Sequence, residues 1–83
     1  MDKPTAKLVA RAFGETLRER RTVAGLSQEA LALSSGFDRT YISLLERGGR
    51  QPTLTTIIAF AEILKVSASD LCSSTLERYD QLK

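Results

Sequence analysis

The chain has 83 residues, 42% of them hydrophobic and 27% charged, with a formal net charge of +2. That length fits one domain with a modest core, near the size at which a second copy often adds needed stability, and the composition excludes a disordered tail. No apolar run approaches the roughly 20 residues of a membrane span, and Met1-Asp2-Lys3-Pro4 lacks a basic start leading into an apolar block. The single Cys72 has no disulfide partner in the chain. A cytoplasmic protein is expected. Enzymatic chemistry is not: there is no His, no pair of carboxylates in an apolar setting, no Gly-rich phosphate loop and no metal-ligand spacing. No cofactor or small-molecule ligand is implied. The charge is unevenly spread: residues 1 to 53 carry nine Lys/Arg against six Asp/Glu, a net of +3, whereas 54 to 83 carry three against four, a net of −1. That asymmetry fits a basic nucleic-acid face and a neutral dimerisation end, although ordinary surface scatter would produce it too.

In chain order, Lys3 to Lys7 reads as a polar, frayed lead. Leu8 to Ala24 is a first helix, its apolar stripe written by Val9, Phe13, Leu17 and Ala24, closed by Gly25. Ser27 caps a second helix, in which Leu31, Ala32 and Leu33 supply an apolar surface and which stops at Gly36, where the backbone can take a positive φ. Asp38 caps a third. Ile42 and Leu45, with Phe37 ahead of the cap, share one apolar side, while Arg39, Thr40 and Ser43 point elsewhere. Arg47, Gly48, Gly49, Arg50 and Gln51 form an exit loop. Pro52-Thr53 announces a fourth helix, Leu54 to Leu64, whose stripe is Leu54, Ile57, Phe60, Ala61 and Leu64, with Ile58 at the flank and Ile63 on the far side. Ser67 caps a fifth helix carrying Leu71, Cys72 and Leu76, with Cys72 expected as a small apolar filler.

Gln28, Ala32, Gly36, Ile42 and Leu45 fall at the positions that define the helix-turn-helix of the Cro/cI-type (XRE-like) DNA-binding family. The string Asp38-Arg39-Thr40-Tyr41-Ile42-Ser43, followed by Leu44-Leu45-Glu46-Arg47-Gly48, resembles most the controller proteins of restriction-modification systems. The resemblance spans about Phe13 to Leu71. It implies an all-α, compact five-helix domain with a central helix-turn-helix (lambda-repressor-like), filling residues 1–83, whose third helix reads the major groove. It also implies an ion pair between Arg21 and Glu46, locking the first helix to the third.

The DNA-binding residues expected on this basis are Gln28, Arg39, Thr40, Tyr41, Ser43, Arg47, Arg50 and Thr53. Arg39 opens the third helix and can donate two parallel hydrogen bonds to guanine O6 and N7. Gln28 either donates to a phosphate beside the helix N-terminus or is a plain helix former. Tyr41 either reaches a phosphate with its hydroxyl or caps the edge of the core. Arg47 and Arg50 neutralise phosphates or are simply solvated, and Thr53 caps a helix whose first N–H groups suit a second phosphate. The apolar end, residues 67–83 with Ile63, Leu71 and Leu76, is assigned to a homodimer interface. The expected function is a sequence-specific transcriptional regulator on double-stranded DNA with a palindromic operator, the controller of a restriction-modification system being the reading the resemblance implies. An antitoxin-like protein-binding module and a phage-type repressor are the alternatives.

Overall fold

A computed structural model describes all residues, 1–83. It contains five helices and no strands: α1 (Lys3–Val23), α2 (Gln28–Ser35), α3 (Arg39–Glu46), α4 (Leu54–Leu64) and α5 (Ala68–Leu82). Four starts have a side-chain cap. Asp2 accepts from the Thr5 amide, Ser27 from Ala30, Thr53 from Thr56 and Ser67 from Asp70, each satisfying one of the donors a helix leaves unpaired at its start. Asp38 occupies the cap position of α3 with extended backbone but makes no capping bond. Gly36 ends α2 in the left-handed region at φ 76°, the conformation expected of it.

The lead of Lys3 to Lys7 is helix rather than a frayed tail. Asp2 Oδ1 accepts from Thr5 N at 2.8 Å, and Pro4 lies in the first turn, where its missing N–H has no helical acceptor to lose. The Thr5 hydrogen bonds hold the Asp2 carboxyl below the ordinary aspartate range.

The core is Phe13, Leu17, Leu31, Ile42, Leu45, Phe60, Ala61, Leu64 and Leu71. α1 packs mainly on α5 and α3, while α2 rests on α3 and α4. Five apolar assignments are corrected here. Ala24 is exposed past the end of α1, and Leu33 and Leu54 are 86% and 70% exposed, because each lies on the outer side of a helix whose inner side is already filled. Leu71, assigned to a homodimer interface, is fully buried in the monomer's own core. Ile63 is half-buried against that core, Leu76 is exposed, and Cys72 is exposed rather than a filler.

α5 is fastened to α1 by polar contacts. Arg78 reaches Glu19 at 2.6 Å and Glu15 at 3.6 Å, and Arg20 Nη2 donates to Ser74 Oγ at 3.2 Å. Thr16 and Thr75 are buried in these helices, and each hydroxyl donates to the carbonyl four residues back, Ala12 at 2.9 Å and Leu71 at 2.7 Å. A buried hydroxyl satisfied in this way carries little desolvation penalty.

A close approach of two helices falls at Gly14. A Cβ there would meet the carbonyl oxygens of Leu45 and, at 2.7 Å, of Glu46, so α1 lies directly on the backbone that ends α3. Gly14→Ala gains about 1 kcal/mol of intrinsic helix propensity but forces two main chains apart, an overpacking cost of about 1–3 kcal/mol or more. The expected outcome is net destabilisation in urea unfolding. A stabilised variant would show that the helices do not meet this closely.

Candidate nucleic-acid interface

Helical spacing alone decides which face α3 offers. Ile42 and Leu45 point inward and are wholly buried, leaving Arg39 and Thr40 exposed and Ser43 and Leu44 half-exposed on the other side, with Arg47 exposed just beyond the helix. With about 1.5 Å per residue the eight residues of α3 span about 12 Å, a length that lies within one major groove. Arg39, Arg47 and Arg50 have no carboxylate within ion-pair distance, as the ion pairs of the molecule all involve other cations. Their charge is therefore free to meet an anion.

Behind this face lies the Arg21–Glu46 pair. The Arg21 guanidinium donates to Glu46 through Nε at 2.6 Å and Nη2 at 3.0 Å, and through Nη1 to the Leu26 carbonyl at 2.8 Å. Gln28 Nε2 donates to Glu46 Oε1 at 3.1 Å. One carboxylate thus ties together α1, the following loop, the start of α2 and the end of α3. The side chains are 13% and 4% exposed, so solvent screens the pair weakly. Hydrogen bonding to Glu46 raises Arg21 above the ordinary arginine value, against the opposing effect of burial, and the guanidinium stays charged.

Two of the expected contacts take a different form. The Gln28 amide turns inward to Glu46, so it positions α2 against α3; its second amide proton and the backbone N–H groups of Gln28 and Glu29 remain unbonded within the chain. Tyr41 holds the edge of the core: its ring packs edge-on against Phe37 at 5.3 Å, and its hydroxyl lies 3.1 Å from Thr56 Oγ1 rather than turning out to a phosphate. Thr56 also bonds the Thr53 hydroxyl at 2.9 Å, so the Thr53 side chain is engaged in its cap and only the first N–H groups of α4 face outward. Thr56 has no signal in the sequence beyond its place one turn after a cap. This hydroxyl chain links α3 to the start of α4. The Arg50 guanidinium sits 6.0 Å from the Tyr41 ring centre, an approach that favours a cation over the ring face.

The face therefore presents a short helix with unpaired cations, flanked by the N-termini of α2 and α4, where exposed N–H groups and the helix dipole favour anions. The helix-turn-helix family matches residues 17–71 of the chain. An uncharacterized HTH-type transcriptional regulator, y4dJ of Sinorhizobium fredii, is 42% identical over 71 residues, covering 86% of this chain and 87% of that protein. Among solved structures, the restriction-modification controller protein C.AhdI of Aeromonas hydrophila superposes with TM-score 0.72 at 45% identity, over 75% of this chain and 94% of that one. The controller protein C.Esp1396I, solved as a tetramer on its natural 35-base-pair operator, superposes with TM-score 0.76 at 29% identity, over 90% and 96%.

Removing Glu46 isolates a buried guanidinium and the Gln28 amide together. Glu46→Ala is expected to cost about 3–5 kcal/mol, the usual loss when one member of a buried pair is deleted, read from the urea midpoint. A loss under about 1 kcal/mol, typical of exposed pairs, would show the clamp to be superficial.

Proposed function

The chain belongs to the helix-turn-helix family of transcriptional regulators, and we propose that it lays α3 in the major groove of double-stranded DNA as a homodimer on an inverted-repeat operator. The observation that supports this reading most is the α3 face itself: Arg39 and Thr40 exposed at the helix start, on a backbone fixed from behind by Glu46. Arg39 reads a base edge, with Thr40 and Ser43 at close range to bases or phosphates. Arg47, Arg50 and the N-termini of α2 and α4 hold the phosphates on either side. Such a target places the protein in the cytoplasm with the DNA.

One α3 reads only a few base pairs. A two-fold dimer presents two such helices about 34 Å apart, one turn of the duplex, and so requires a palindromic site. The dimer surface is drawn from the apolar side chains the core leaves over: Leu76 at 60% exposed, the half-buried Ile63, and Leu54 and Ile58, one turn apart on α4. It falls in α4 and α5. Likeness to two controller proteins favours a role in timing a restriction-modification system. The other reading is a regulator of unrelated genes with the same DNA chemistry, and an endonuclease or methyltransferase gene beside this one decides between them.

Selection of bound duplexes from a random pool at fixed salt is expected to recover an inverted repeat; recovery of no enriched palindrome contradicts the dimeric reader. On the selected site, Arg39→Ala is expected to cost about 1–3 kcal/mol and to relax the preference at one G·C pair per half-site. A loss equal on all sequences would make Arg39 a phosphate contact instead.

A further inference from the structure

The exit loop folds back onto the first two turns of α1. Gln51 Nε2 donates to the Ala6 carbonyl at 2.8 Å, and a Cβ on Gly48 would lie 3.0 Å from Arg11 Cα. Between loop and helix runs an open groove of ≈ 250 Å³ whose cations are Lys3, Lys7 and Arg50. None of the three is within ion-pair distance of a carboxylate, and all are exposed. Arg11, the next cation along α1, is paired with Glu15 at 3.0 Å and does not line the groove.

We propose that this groove is a second seat for the DNA backbone, in which Lys3 and Lys7 hold phosphates of the strand that runs outward from the half-site. The inference rests on α3 as the groove-bound helix and adds a flank to it. Three observations carry it. The groove and α3 meet at Arg50, which lines the groove and also stands 6.0 Å from the ring of Tyr41 in α3. Lys3 and Lys7 stand one helical turn apart, about 6 Å along α1, close to the roughly 7 Å through space between neighbouring phosphates of one strand, which rise about 3.4 Å along the axis while turning about it. The Asp2 cap and the Gln51 bond hold α1 and the loop in place before any DNA arrives, so binding there need not order a loose tail.

The test compares the full chain with the Lys3→Gln/Lys7→Gln double variant on two duplexes. One carries long flanks beyond the selected site, and the other is trimmed at the outer edge of each half-site. Each lost phosphate contact lowers the slope of log K against log salt by about 0.9 in magnitude. On the long duplex the variant is therefore expected to lose about 3.6 of slope in a dimer that forfeits four contacts. On the trimmed duplex the two proteins are expected to agree, both at the lower value. Circular dichroism at equal helix content keeps folding out of the comparison. Equal slopes on the long duplex overturn the seat while leaving the α3 reading intact. A slope difference that persists undiminished on the trimmed duplex also overturns it, since that is the mark of a diffuse field rather than docked phosphates. Failure of the unaltered chain to bind either duplex overturns both.

Discussion

A carboxylate held by three N–H donors, two from Arg21 of α1 and one from Gln28 of α2, is the constraint on which this molecule depends. Glu46 ends α3 and receives Arg21 of α1 and Gln28 of α2, while Arg21 also binds the Leu26 carbonyl between those helices. A helix of eight residues is too short to be stable on propensity alone. α3 takes its definition from Ile42 and Leu45 in the core, from Gly14 seated on its last carbonyls, and from this clamp. Since the charges are buried and bonded, the arrangement fixes geometry more than it adds net stability. Fixed geometry is what a reader of base edges needs, because side chains positioned in advance lose less entropy on binding.

The same economy governs the polar groups around the face. The Tyr41 hydroxyl bonds Thr56, which bonds Thr53, which caps α4. The Gln28 amide is drawn inward. What remains outward is a set of cations with no internal acid and of helix N–H groups with no internal acceptor. The face is thus left with unmet donor capacity, and phosphate backbone is the partner whose chemistry matches it.

Much of this was legible in the sequence because it is local. Ser27, Thr53 and Ser67 cap where their side chains announced, Gly36 takes the left-handed turn, and the Ile42/Leu45 spacing orients α3. Non-local facts were legible only where the family resemblance supplied them, as it did for the Arg21–Glu46 pair. Nothing within the first helix tells that Gly14 meets the end of α3, since a glycine there reads only as a weak spot. The stripe on α5 says that Leu71 is apolar but not that α1 and α4 already cover it, so a core residue was assigned to an interface. Asp2 and Pro4 did carry a helix-start signature, hidden by the polar residues around them, and with that start the side chains of Lys3 and Lys7 gain a defined place.

The account stands on α3 lying in the major groove, and methylation interference on the bound operator tests it most directly. Methyl groups on guanine N7 project into the major groove, those on adenine N3 into the minor. The account predicts that N7 methylation abolishes binding in two clusters about one helical turn apart, while N3 methylation between them leaves it intact. Interference confined to adenine N3, or none from N7 at any position, would contradict it.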